Sequence, residues 1–370
     1  MDCISLLWQL GTCLENDPKA TVTNFLSNSN NIETLFHIFV DLNHDPRMRR
    51  MAAFCLLILS SIESERRLST RLAQNLGVYL TQFLSLDETF STLCCLILEN
   101  LAKSKHQKTR DILFSQNCHL ELVSSITSPC ASMTELTEDM LRVLFLLISR
   151  DGLKNKSKIE WMLQSISNFL MWMIDIIDKP EMPLSIVRPI CWILSSMAFH
   201  GNFVLSEPMV LRLAKFLERL CKLENRHLDI IIPCQRTFGI YFSSDNVINL
   251  SQDFLTTYIE ASLTIFQWDY AALHKECLFC WCNVISKVQD DTELVIEREF
   301  FCPIIRVMRN SLSQDIIRLG LSLMINLKIK RLLPQLIACQ VEDIERVMID
   351  AGRLSSDLCK LFQDVKSNVC

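Results

Sequence analysis

The stretch from Leu184 to His200, LSIVRPICWILSSMAFH, decides how the chain is read. Wound as an α-helix, it places Val187, Cys191, Leu194 and Ala198 on one apolar face. It also brings Arg188, Trp192 and Ser196 into a second stripe at i, i+4 and i+8, which a wholly buried helix does not need. Copies of such a helix stacked side by side would align their second stripes into a groove. The analogous position falls at Phe54, Leu96, Val143, Trp192, Arg236, Phe279 and Ser322, separated by 42, 47, 49, 44, 43 and 43 residues.

That spacing is the period of an armadillo or HEAT repeat. It predicts an all-α fold, a right-handed superhelical solenoid of about seven to eight repeats. A stacked array has no size limit of the globular kind, so residues 1–370 read as a single repeat domain. Within it, 1–30 form an irregular cap, 31–329 the repeats and 330–370 the closing helices. Composition agrees: 49% of the chain is apolar and 21% charged, with only seven glycines and ten prolines. So few turn formers exclude a strand-rich architecture.

A net charge of −5 argues against nucleic acid as a partner, because phosphate binding needs a clustered basic surface. The densest apolar run, Phe169 to Ile177, is broken by Asp175 and is about half the length that spans a bilayer, so no membrane partner is expected. The opening MDCISLLWQL has no secretory pattern. Seventeen cysteines lie largely in apolar helical runs and read as small buried hydrophobes of a reduced, intracellular protein.

Local signals place the helix ends. Asp45 with Pro46 reads as an N-cap followed by proline in the first turn, opening a long helix from Met48 to Ile62. Ser85 with Glu88 and Ser132 with Glu135 read as capping boxes for the next two long helices, and Asp290 with Glu293 as the cap of a later short one. Asn75 and Asn117 stand where a repeat of this class turns between its first two helices, and asparagine is the residue after glycine that best tolerates a left-handed conformation.

Three segments resemble importin-α, the armadillo adaptor of nuclear import. Cys191 to Ser195 is similar to that family's CWTLS. Pro233 to Asp245, PCQRTFGIYFSSD, and Lys275 to Val295, KECLFCWCNVISKVQDDTELV, resemble its fifth repeat and the one that follows. In that family a ladder of tryptophan and, four residues on, asparagine binds the signal's lysine stems and its backbone. The resemblance carries the ladder onto Phe54 with Ile58, Leu96 with Asn100, Val143 with Leu147, Trp192 with Ser196, Arg236 with Ile240, Phe279 with Asn283, and Ser322 with Asn326. It places Asp151 near where that family can hold a lysine-binding acid, with Lys103 close to that pocket, where its charge would repel a signal lysine. The implied peptide-binding residues are Asn100, Asp151, Trp192, Ser196, Arg236, Phe279, Asn283 and Asn326. The ligand is a protein or peptide segment in the concave groove, and the compartments are cytoplasm and nucleus. The basic arm through which that family binds importin-β is not seen, so importin-β binding in that manner is not expected. A divergent scaffold that has lost signal recognition and serves a dedicated partner is the other function left open.

The chemistry-bearing candidates are few. His274, Cys277, Cys280 and Cys282 have metal-ligand identities, but Cys280 and Cys282 point roughly 200° apart on a helix, so buried thiols are the expectation. No nucleophile elbow, phosphate loop or HExxH occurs; no catalytic residue, cofactor or metal is implied. Trp192 reads either as groove or as core, and Arg236 either as solvated or as paired with an acid on the next helix. Asn100 and Asn283, amides within apolar helices, read as exposed peptide contacts whose loss would leave the melting temperature nearly unchanged.

Overall fold

The structure, a computed structural model, describes residues 3–17, 20–21, 29–62, 66–85, 87–128, 135–149, 167–199, 205–243, 250–288, 301–327 and 334–369. Among them the regular structure is helical throughout. The helices are α1 Cys3–Asn16, α2 Ser29–Val40, α3 Pro46–Ser61, α4 Arg66–Gln82, α5 Glu88–Lys103, α6 Gln107–Ser115, α7 Cys118–Thr127, α8 Glu135–Ser149 and α9 Ser167–Asp178. They continue as α10 Leu184–Phe199, α11 Glu207–Cys221, α12 Leu228–Ser243, α13 Gln252–Gln267, α14 Ala271–Ile285, α15 at 301–310, α16 Gln314–Asn326, α17 Pro334–Asp350 and α18 Ser356–Val369. The chain divides into two compact units, 1–172 with 183–193, and 173–182 with 194–370, so the division runs through α9 and α10.

Helix starts follow elementary capping. Asp45 accepts a hydrogen bond from Arg47 N at 2.8 Å, with Pro46 at the first helical position, as the sequence indicates. For α5 the cap is Asp87, accepting from Phe90 N at 3.1 Å, and not Ser85, which belongs to a short 3₁₀ turn. A carboxylate one residue from the helix outcompetes a serine already used in the preceding turn. Ser132, Asp290 and Glu293 lie outside the described residues. Asn117 does adopt the left-handed conformation, at φ 60°, and separates α6 from α7. Asn75 does not: α4 runs unbroken through it, and the buried Gly77 beyond it lets Gln116 of α6–α7 lie against the helix. The corner expected at Asn75 is therefore absent. Gly352, at φ 65°, closes α17, with Arg353 N bonding Met348 O at 2.9 Å.

In the first unit α1, α3, α5 and α8 stack in sequence, with α2 and α4 against α3 and α5, and α4 against α6. In the second, α12, α14, α16 and α18 stack likewise, and α11 packs on α13. Hydrogen bonds between these layers recur at one repeat's separation: Ser69 to Thr109 and Arg236 to Glu276 at 40 residues, Cys118 to Gly77 at 41, Asn283 to Gly239 at 44. Equivalent elements of consecutive repeats are thus neighbours, the physical content of a solenoid. Pro189 and Pro233 occupy matching places in α10 and α12, three residues before Trp192 and Arg236.

The long helices bury the faces that periodicity assigns. Val187, Cys191, Leu194 and Ala198 of α10 are all buried, whereas Arg188 is exposed. Aromatic rings fill each unit. Phe39, Phe83 and Phe90 cluster in the first, under the Arg49 guanidinium, whose pKa burial holds below the usual arginine range. In the second, Phe238, Phe242, Phe254, Tyr258 and Trp281 pack at centroid separations of 4.9–6.1 Å.

Candidate functional site on the solvent stripe of the long helices

Each long helix leaves a narrow stripe toward solvent, and the predicted ladder falls on it at all helices but one. On α3, Phe54 is half-buried, its ring laid across Gly11 of α1. On α5, Asn100 is half-buried, and on α10 so is Trp192, whose ring centroid is 6.0 Å from that of Phe145. Trp192 is thus neither fully buried nor fully exposed. On α8, Val143 and Leu147 are buried at 0% and 1% exposure. The solvent stripe there carries Arg142 and Leu146, one residue earlier. Residues 143–148 read VLFLLI, so a periodicity argument has no polar residue with which to set the register. Asp151 lies outside the described residues. Lys103 pairs with Glu99 at 2.5 Å.

The second unit carries the fuller set. Ser196, Ile240, Asn283 and Ser322 are half-buried, and Arg236, Phe279 and Asn326 are exposed. Phe279, 38% exposed, lies over Gly239 of α12: a Cβ there would stand 2.7 Å from its ring. Arg236 Nε bonds Glu276 Oε1 at 2.6 Å, which settles the sequence-level choice in favour of a partner on the next helix. Lys275 Nζ reaches Asp315 Oδ2 at 2.6 Å, and Arg318 stands 3.8 Å from the same carboxylate. The lysine bond and the two cations hold the Asp315 carboxyl below its ordinary range. Glu276, Lys275 and Asp315 were not singled out from the sequence. The signal available was the recurrence of opposite charges 40 residues apart, close to the repeat length.

The two ladder asparagines behave alike. Asn100 Nδ2 donates to Ser60 Oγ at 3.0 Å and lies 3.4 Å from Leu57 O; Asn283 Nδ2 donates to Gly239 O at 2.9 Å. In each case the carbonyl belongs to the residue just before the ladder position of the preceding long helix, Ile58 or Ile240. The amides therefore tie consecutive repeats together, while each stays half-buried on the solvent stripe. Asn100→Ala and Asn283→Ala should each lower unfolding free energy by about 1 kcal/mol, the net value of such a bond, measured as a shift of the denaturant midpoint. An unchanged midpoint would return the amides to the exposed role.

The cysteine-rich turn of α14 is core. Cys277 and Cys280 are fully buried, and burial pushes the Cys277 thiol up to about 12. Cys282 donates to Leu319 O at 3.5 Å, and its thiol is likewise raised to about 12 by burial. Among the described residues, His274, Cys277, Cys280 and Cys282 do not bring three ligating atoms within reach of one another. The described cysteines are free thiols, but Cys13, Cys302 and Cys339 are exposed, which departs from a wholly buried set.

No protein-family model matches the sequence, and no curated protein matches it. Solved structures do. One, from work on a phosphorylation switch in the interaction between cadherin and β-catenin, aligns with a TM-score of 0.71 at 13% identity, over 99% of this chain and 66% of that one. An engineered protein aligns over 100% of this chain and 99% of its own, with a TM-score of 0.58 and 13% identity. A designed armadillo repeat protein in complex with the peptide (KR)4 aligns over 68% of this chain and 98% of its own, with a TM-score of 0.50 and 13% identity. The fold is an all-α armadillo-type solenoid. Among the described residues, no helix is long and apolar enough to cross a membrane.

Proposed function

We propose that this armadillo chain, as one repeat domain, is a non-enzymatic scaffold that binds an extended segment of a protein partner along the solvent stripe of its long helices. The observation that carries the reading is the stripe of α12, α14 and α16. There an exposed phenylalanine, Phe279, sits among charge pairs whose acids are already matched, Glu276 by Arg236 and Asp315 by Lys275. Exposed aromatic surface in a polar setting favours a partner that buries an apolar side chain. A lysine-rich segment would need unmatched carboxylates, and those on this stripe are engaged. This supports a dedicated partner over a basic import signal. The motifs shared with importin-α support an adaptor of nuclear import, acting in cytoplasm and nucleus, as the second reading. The (KR)4 complex of the designed repeat protein supports the general capacity of the fold to hold a peptide.

Affinity capture separates the two readings. The full chain should retain a partner that a lysine-rich peptide does not displace, and Phe279→Asp should release it. Displacement by the lysine-rich peptide, with Phe279→Asp without effect, would favour the import adaptor.

A further inference from the structure

The corner between α2 and α3 gathers three side chains that partner binding does not use. His37 lies in the last turn of α2, Asp41 directly follows that helix, and His44 precedes the Asp45 cap of α3. The ligating atoms of the three all lie within 4.8 Å of one another. His44 Nε2 stands 3.5 Å from His37 Nδ1 and 3.8 Å from Asp41 Oδ2. Two ligands at about 2.05 Å from a tetrahedral zinc ion are roughly 3.3 Å apart, so small side-chain rotations bring these atoms onto one ion.

The corner is held in that arrangement by bonds that leave the donor atoms available. Asp41 Oδ1 accepts from Asn43 N at 2.9 Å and from Asn43 Nδ2 at 3.0 Å, which fixes the carboxylate and leaves Oδ2 facing His44. Asp41 N bonds His37 O at 3.1 Å, and His44 N bonds Asp41 O at 3.2 Å. One turn into α3, Arg49 Nε donates to Phe39 O at 3.2 Å, pinning the end of α2 to the start of α3. Two imidazoles with one carboxylate suit zinc or its transition-metal neighbours, whereas calcium and magnesium seek oxygen. His37 is exposed, so a fourth position faces solvent.

We propose that His37, Asp41 and His44 form a Zn²⁺ site, completed by water, that staples α2 to α3 in the first unit. Asn43 acts as a positioning residue, orienting Asp41 through Oδ1.

The test is a calorimetric titration of Zn²⁺ into the full chain, with Cys13, Cys302 and Cys339 alkylated beforehand so that exposed thiols do not compete. One equivalent should bind, His37→Ala and His44→Ala should each weaken it by about 100-fold or more, and Asn43→Ala by about 10-fold. Metal-free melting of His37→Ala should match that of the wild type, since the side chain is exposed. Substituted Co²⁺ should show the visible bands of a nitrogen and oxygen site without a thiolate charge-transfer band. The proposal is overturned if the wild type takes up no Zn²⁺, if the double variant His37→Ala with His44→Ala binds it equally well, or if cobalt reports thiolate ligation.

Discussion

Trp281→Ala is expected to be the most damaging single substitution considered, costing about 3–5 kcal/mol of unfolding free energy. The side chain is 0% exposed, its ring centroid lies 4.9 Å from that of Tyr258, and its Nε1 donates to Ser262 Oγ at 2.9 Å. Truncation leaves both a large cavity and a buried hydroxyl without its donor. The same cluster binds Tyr258 Oη to Gln235 Oε1, so three helices, α12, α13 and α14, share it. Trp281→Phe should cost less, because the ring volume is largely kept and chiefly the hydrogen bond is lost. Urea unfolding of the full chain measures both, and equal midpoints for wild type and Trp281→Ala would contradict the packing described.

Acid should weaken the first unit through His119. This residue of α7 is 1% exposed, its ring lies tilted against Phe114 with centroids 4.7 Å apart, and burial lowers its pKa from the ordinary histidine value of 6.5 to about 4. A folded-state value below the unfolded one means that the unfolded chain binds the extra proton between those pH values. Stability is then complete above about pH 6.5 and falls as pH drops toward 4. The span corresponds to roughly 3 kcal/mol at most. His274, also lowered by burial, adds a loss in the same direction. His119→Gln isolates the contribution: between pH 7 and pH 4 the variant should lose roughly 2–3 kcal/mol less than the wild type. Parallel pH profiles for the two chains would refute the assignment.

Much of the fold can be read from residues that have only one good place to be. The buried face of α10, the Asp45–Pro46 start and the left-handed Asn117 each express a strong local preference, and the structure keeps all three. Register is legible only where polar residues interrupt the apolar pattern. On α14 the neighbours Lys275 and Glu276 set Phe279 toward solvent, whereas the VLFLLI run of α8 sets nothing, and the ladder position slips onto buried Val143. Asn75 misleads because a residue that tolerates a left-handed turn does not require one.

For the candidate site, the sequence indicates which residues share a stripe but not what they already hold. An amide in an apolar helix must find a partner. For Asn100 and Asn283 that partner is the neighbouring helix, 43 and 44 residues back, and only the stacked structure reveals it. The charge pairs Arg236–Glu276 and Lys275–Asp315 are hidden for the same reason, since each joins helices of successive repeats.

These tethered amides and matched carboxylates bear most directly on which kind of segment the stripe accepts. The deciding measurement is a calorimetric titration of a simple lysine-rich signal peptide into the full chain at physiological salt. With no free acid at Glu276 or Asp315 and with Asn283 bonded to Gly239, binding should be weak, about millimolar, corresponding to roughly −4 kcal/mol. Nanomolar binding of that peptide, about −12 kcal/mol, would contradict the dedicated-partner account and establish a lysine-reading groove.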